Sequence, residues 1–363
     1  MFSLDRDDDG RFAVSWMIYG ATGYTGRLIA ERAVDRGQRP VLAGRDPAKV
    51  ARVATPLGLP QRVFDLRDRA AAEAALADVE LVAHCAGPFS ATSAPMVSAC
   101  LATGTHYLDI TGEIDVFESV FARHEDAVAA GVVLLPGAGF DVVPTDCLAA
   151  MVASALPGAT SLDLAFQASG GISGGTLKSA LEGAALGGRA RVGGQLREVP
   201  MGWRHREVPF PSGRHAVTSL PWGDVSTAHR STGIPDITTF TRVPGLHRMG
   251  PRASAAGRAV LGTPLAQRLG KAAIGALVRG PGSARRSRSW VEVFAEATDA
   301  DGRSVSAALI GPDTYEFTAD AVLRIADGLL GSGVAPGAHT PSTAFGADLV
   351  RRLHGVRVIE PVA

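Results

Sequence analysis

Gly20, Gly23 and Gly26 recur at three-residue spacing within Ile18-Tyr-Gly-Ala-Thr-Gly-Tyr-Thr-Gly26. Glycines so placed suit anion chemistry. Gly20 permits a tight turn, Gly23 lets backbone N–H groups approach a pyrophosphate, and Gly26 lets the following helix pack closely. The candidate cofactor contacts in this stretch are Gly20, Thr22, Gly23, Tyr24, Thr25 and Gly26. The spacing is G-x-x-G-x-x-G rather than the commoner G-x-G-x-x-G, and a glycine turn without a ligand is the competing reading. Arg45 lies about 20 residues further on, where an acidic residue would hold the ribose 2′-hydroxyl of NAD. A guanidinium there can pair with a 2′-phosphate and favours NADP, against a solvated arginine at a strand end. Asp65 has two readings, an acceptor for the adenine amino group or a cap on the turn that follows it.

Further polar groups gather later in the chain. His106, Tyr107, Asp109, Thr111 and Glu113 fall within a short stretch, and Asp141 stands between Phe140 and Val142. Groups of this kind can stabilise a developing oxyanion or supply a proton. Each has a plain alternative. Thr111 or Glu113 would cap a helix from Ile114 to Ala130, and Asp141 would cap one from Pro144 to Ala155. Ala86, Gly87 and Pro88 follow an apolar run and belong at a ligand cleft, with Phe89 as a wall; His84 reads as strand packing.

These groups need strand ends and helix starts to hold them. Phe12 to Tyr19, Pro40 to Arg45, Gln61 to Asp65, Val79 to Cys85, Thr105 to Ile110 and Gly131 to Pro136 read as strands. Helical segments alternate with them, as in a doubly wound parallel sheet whose ligands sit beyond the strands' carboxyl ends. The pattern changes near Pro157. Ser161 to Gln167 and Trp290 to Thr298 alternate as half-buried strands, and Asp301-Gly302 makes a hairpin turn. Glu198 to Trp222 reads as loop and short strand, and Ala319 to Leu330 and Ala344 to Leu353 as helices. The expected fold is α/β: a Rossmann-like domain over 1–157, then an α+β substrate domain over 158–334. A C-terminal segment, 335–363, docks back on the first domain. A length of 363 residues allows two domains, each burying a core of its own.

Formal net charge is zero, which argues against a dedicated nucleic-acid binder. No apolar run is long enough to span a bilayer, the N-terminus lacks a signal-peptide pattern, and the cytoplasm is the expected compartment. Cys85, Cys100 and Cys147 form no disulfide framework and no metal-ligand spacing. Lys49, Lys178 and Lys271 are the only lysines, and none follows a tyrosine by four residues, which argues against a standard short-chain dehydrogenase site. From Ile237 to Trp290 there is no acidic residue, and a basic insert of about 242–289 has three readings. It is a solvated helical insert, a surface for an acidic carrier protein, or an interfacial membrane contact.

Gly-Ala-Thr-Gly-Tyr-Thr-Gly26, Ala-Gly-Arg45, Ala-Gly-Pro-Phe89, Tyr-Leu-Asp-Ile-Thr-Gly-Glu113 and Gly-Ala-Gly-Phe-Asp-Val-Val-Pro-Thr-Asp146 occur in that order. Together they resemble the saccharopine dehydrogenase-like NAD(P)-binding proteins, most of all the bacterial trans-acting enoyl reductase branch. The resemblance is specific over about residues 15–150. It implies a Rossmann domain, an α+β second domain and NADPH as reductant. The implied substrate is an enoyl C=C conjugated to a carbonyl in a polyketide or lipid intermediate, such as an acyl thioester. It also implies an acyl carrier protein or polyketide synthase as partner; homo-oligomer formation is left open. Saccharopine-type reduction of an imine or ketone, and a non-catalytic NADP-binding sensor or scaffold, are the alternatives. For the enoyl reaction, Tyr107, Thr111 and the Ala86–Gly87 backbone are candidates to stabilise the oxyanion. Asp109, Glu113 or Asp141 could give the proton if burial raises its pKa.

Overall fold

The structure, a computed structural model, describes residues 16–363 apart from 172, 176, 178–180, 182, 184–186, 243–262, 279, 332 and 363. Most of the basic insert thus lies outside the described residues.

The first half alternates strand and helix. The elements are β1 (Trp16–Tyr19), α1 (Tyr24–Asp35), β2 (Val41–Gly44), α2 (Pro47–Leu57), β3 (Gln61–Val63), α3 (Arg69–Leu76), β4 (Leu81–His84), α4 (Phe89–Thr103), β5 (His106–Asp109), α5 (Ile114–Phe121), α6 (His124–Ala130), β6 (Val133–Leu135) and α7 (Val143–Ala155). Every residue of β1, β2, β4 and β6 is buried, as continuous apolar runs in a sheet covered on both faces must be. The strands pair in parallel in the order β6-β5-β4-β1-β2-β3. This is the Rossmann order, and its switch point lies between β1 and β4. Local signals set the helix starts: Asp46 and Asp68 accept from Lys49 N–H and Ala71 N–H at 3.1 and 3.0 Å. The helix expected over 114–130 is broken into α5 and α6, because Arg123 leaves helical geometry at φ −94°, ψ 17°.

The second half builds a mixed sheet from β7 (Ala159–Ala168), β8 (Gly188–Val192), β9 (Gln195–Val199), β10 (His205–Phe210), β11 (Gly213–Ser219), β12 (Asp236–Thr241), β13 (Trp290–Asp299) and β14 (Ser304–Pro312). Its helices are α8 (Asp224–Thr232), α9 (Pro264–Leu277), α10 (Ser283–Arg286) and α11 (Thr314–Leu330). The Glu198–Trp222 stretch is more regular than expected: β10 and β11 form a hairpin in continuous antiparallel register. The expected Asp301–Gly302 turn joins β13 to β14, with Gly302 at φ +82°.

The chain then returns to both sheets. β15 (Gly337–Ala338) extends the first sheet alongside β6, whereas β16 (Arg357–Val362) pairs with β14 in the second. The tail therefore does not dock on the first domain alone. Between them, a helix expected over 344–353 is divided into α12 (Pro341–Phe345) and a 3-10 turn at Ala347–Arg352, with Gly346 at φ +78° as the break.

Besides a cluster on the outer face of each sheet, the two sheets share a core. One continuous apolar cluster includes Ile18, Leu42, Leu81 and Leu108 of the first sheet and Val291, Val293, Ala295 and Leu309 of the second. Residues of α1, α7 and α11 fill the space between them. A second cluster lies on the other face of the first sheet, under α3 to α6.

Candidate cofactor cleft and acid site

At the carboxyl end of β1 the chain turns through Gly20, whose φ is +87°. A Cβ at Gly20 would lie 2.7 Å from both Ala86 N and the Cys85 carbonyl carbon, and one at Gly26 would lie 2.5 Å from Gly20 O. Side chains at either position would push the turn away from β4 or the helix away from the turn. Gly23 is the N-cap of α1, with no side-chain cap and no acidic residue in the first turn. The positive end of a 12-residue helix therefore faces the exposed Thr22–Gly23 backbone without a counter-charge. The cradle is open and fits a dinucleotide pyrophosphate.

Arg45 follows β2 at this same edge. It is exposed and makes no hydrogen bond or ion pair among the described residues. Asp65, by contrast, closes its own turn. It accepts from Arg67 N–H at 3.0 Å and from the Arg67 guanidinium at 2.6–3.1 Å, which holds its carboxyl down at about 2. That is the capping reading of the two offered by the sequence.

The Tyr24 side chain is turned toward the second half of the chain. Its hydroxyl donates to Pro281 O at 2.5 Å and accepts from Arg286 Nη1 at 2.9 Å. Its ring meets Tyr315 edge-on at 4.7 Å and packs against Gly280. The side chain joins the glycine turn to the second half of the chain, and donor and acceptor are both engaged there.

Beyond β4, Ala86 and Pro88 are half-buried and Gly87 is exposed. Two side chains pin this loop from beneath. Thr92 Oγ1 donates to Ala86 O at 2.7 Å and lies 3.0 Å from His84 Nε2. His84 is fully buried, and burial pushes its imidazole down to about 3, so it stays neutral. Glu113 accepts from Phe89 N–H at 3.1 Å and Ser90 N–H at 2.7 Å. It therefore caps α4 rather than its own α5, and its carboxylate serves as a strut.

Tyr107 and Asp109 also prove to be internal, with no exposed surface. Tyr107 Oη donates to Asp109 Oδ2 at 2.5 Å. Asp109 Oδ1 accepts from Thr111 N–H at 3.0 Å and Gly137 N–H at 2.8 Å, tying the end of β5 to the loop after β6. Burial pushes the Asp109 carboxyl up to about 6 despite these donors. Neither group can touch a substrate, because their polar atoms are turned onto each other and onto the backbone. Thr111 is likewise buried, accepting from Glu113 N–H at 3.1 Å.

Asp141 is different. It is half-buried after β6, its carboxyl has no hydrogen-bond partner among the described residues, and burial pushes it up to about 7. Its Oδ2 would lie 3.0 Å from a Cβ at Gly112, so the glycine makes room for it. Trp222 Nε1 donates to Asp141 O at 2.9 Å, and the Trp222 ring lies 4.7 Å from Phe166. Phe166 in turn meets Phe140 edge-on at 6.1 Å. The half-buried Phe166, on β7, and Trp222, in the loop before α8, wall this position from the second half of the chain, and neither was a site candidate from sequence.

The family profile of the saccharopine dehydrogenase NADP-binding domain matches residues 16–135. That stretch is similar to an NADP-binding domain of oxidoreductases, and the glycine turn at Gly20–Gly26 lies within the match. The chain is 35% identical over 138 residues to a trans-acting enoyl reductase of Mycobacterium leprae, covering 36% of this chain and 33% of the relative. It is 34% identical over 180 residues to a putative trans-acting enoyl reductase of Mycobacterium tuberculosis, covering 46% of this chain and 43% of the relative. The chain thus spans less than half the length of the curated relatives it matches. Two solved structures share the fold over 96% of the chain. One is saccharopine dehydrogenase (L-Glu forming) of Saccharomyces cerevisiae, at TM-score 0.62 and 13% identity, covered over its full 100%. The other is homospermidine synthase of Legionella pneumophila in complex with NAD, at TM-score 0.63 and 9% identity, 92% covered. The saccharopine dehydrogenase-like architecture therefore extends over both sheets.

Proposed function

We propose that this chain is an NADPH-dependent enoyl reductase acting on an acyl thioester, with Asp141 as the proton donor. The observation that carries the reading is the order of groups along one edge of the first sheet. Arg45, the glycine turn, Ala86–Pro88, Gly112 and Asp141 follow the strands in the order β2, β1, β4, β5, β6. At about 4.8 Å between strands, this row extends roughly 19 Å. Arg45 would hold a 2′-phosphate at one end, the N-terminus of α1 the pyrophosphate, and the far end would receive the nicotinamide.

Bound NADPH would supply a hydride to the substrate's β-carbon. The remaining steps fall to the protein. Electrons displaced from the C=C bond collect on the thioester carbonyl oxygen, and the Ala86–Gly87 backbone at the cleft edge is the group available to orient it. The α-carbon then takes a proton from Asp141, leaving a saturated thioester and an Asp141 carboxylate that is recharged from solvent. A carboxyl held near 7 is protonated often enough to serve as this acid at neutral pH. Phe166 and Trp222 supply the apolar wall against which an acyl chain can lie. The similarity to proteins named trans-acting enoyl reductases supports this substrate class over an amino-acid imine.

The test is to mix the protein with NADPH and α,β-unsaturated acyl thioesters and follow the loss of nicotinamide absorbance. Turnover should occur with wild type and fall about 100-fold or more in Asp141→Asn, with NADPH affinity unchanged. Turnover of imines or ketones alone would replace the enoyl assignment. Tight NADPH binding without turnover of any of these would leave a sensor or scaffold.

A further inference from the structure

The α9 helix is apolar on two opposite sides. Its inner side meets Gly174 and Leu181: Gln267 Nε2 donates to Leu181 O at 3.0 Å, Gly270 packs on the Leu181 side chain, and Ile274 packs on Gly174. Its outer side carries Leu265, Leu269 and Leu277, which are 67%, 61% and 81% exposed, together with the exposed Ala272 and Ala273. At about 100° per residue these five positions fall within roughly 140° of arc, with Gln267 and Ile274 outside it and Gly270 at its margin. A surface helix normally turns a polar face to water, and this leucine stripe has no apolar cover among the described residues. No acidic side chain occurs from Ile237 to Trp290, a span with ten arginines and lysines.

We propose that this outer face of α9 seats the protein on an anionic lipid surface. Three features favour lipid over a protein partner. The leucines stand out from the helix rather than framing a pocket, and no aromatic residue in α9 offers the anchor that protein interfaces favour. Arginines and lysines recur along the sequence of the whole segment with no acidic residue among them, which suits a sheet of anionic headgroups. Leucines on one face with arginine alongside, here the exposed Arg268, make the pattern of a helix lying in the interface plane. The inference is independent of the reductase reading, because it uses no group assigned to the cofactor cleft.

The experiment is co-sedimentation of the full chain with vesicles of pure phosphatidylcholine and vesicles containing one-third phosphatidylglycerol. Binding to the anionic vesicles should exceed that to the neutral ones at least tenfold and should weaken at least tenfold in half-molar salt. The combined variant Leu265→Glu, Leu269→Glu, Leu277→Glu should lose it, while its NADPH affinity and circular dichroism match wild type. Equal binding to both vesicle types, no binding to either, or undiminished binding by the variant would overturn the proposal. So would capture of an acidic carrier protein through the same leucines by a chain that ignores both vesicles.

Discussion

Asp141 carries its proton at a cost that depends on pH. Its carboxyl is held at about 7 in the folded protein by burial, well above the ordinary carboxylate value it regains on unfolding. Between those two values the folded state binds more protons than the unfolded state, so stability falls as pH rises through this window and levels off above about 7. Asp141→Asn removes the charge and should stabilise the protein at pH 8 by about 2–4 kcal/mol more than at pH 4. Denaturant midpoints at the two pH values test this, and an equal effect at both would contradict it. The same titration predicts that wild-type kcat declines as pH rises through about 7. Arg45 acts by charge and geometry instead. Arg45→Glu should reduce the preference for NADPH over NADH by at least about tenfold, since a carboxylate repels a 2′-phosphate and accepts from a 2′-hydroxyl. Unchanged cofactor preference would count against the assignment.

At the scale of elements, the cleft is held by side chains whose partners are remote in sequence. Glu113 lies 24 residues from the Phe89 N–H it receives. Glu113→Ala would leave two helix N-terminal donors unpaired and should cost about 1–3 kcal/mol. It should also weaken NADPH binding several-fold by loosening Ala86–Pro88, with Glu113→Gln retaining most of both. Isothermal titration and urea unfolding of the two variants would check this. The strand–helix alternation of the first domain was legible because doubly covered strands read as unbroken apolar runs and Asp46, Asp68 and the glycine turn mark helix starts. The side-chain directions were not legible. Tyr107 and Asp109 sit in a dense polar stretch, yet both polar groups turn inward to each other. Asp141 and Glu113 looked alike as acidic candidates, and only their neighbours separate an acid with an unpaired carboxyl from a strut. Trp222 and Phe166 reach the site through a strand pairing and a loop that no local pattern encodes.

Across the whole molecule, the shared core predicts cooperativity. Leucines and valines of both sheets pack on α1, α7 and α11, and Arg32 on α1 pairs with Glu316 on α11 at 3.0 Å. Neither sheet can lose this layer without exposing the other. Unfolding in urea should therefore be a single transition, with far-ultraviolet circular dichroism coincident with tryptophan fluorescence, which reports from Trp16 in the first sheet, from Trp290 in the second and from Trp203 and Trp222 in loops of the second half. Two separated transitions would show that the sheets are stable alone.

The joint at Tyr24 makes the dinucleotide cradle and the segment from Gly280 to Arg286 parts of one mechanical unit. The first residue of the helix that faces the pyrophosphate is fastened to a stretch that begins only three residues after α9 ends. Thermodynamic reciprocity then applies across this fastening. Whatever factor a contact at the outer helix imposes on affinity for the nucleotide, the nucleotide must impose on that contact. Occupancy of the cradle and attachment at α9 would thus read each other's state through the Tyr24 phenol and the Arg32–Glu316–Arg286 ion pairs beside it.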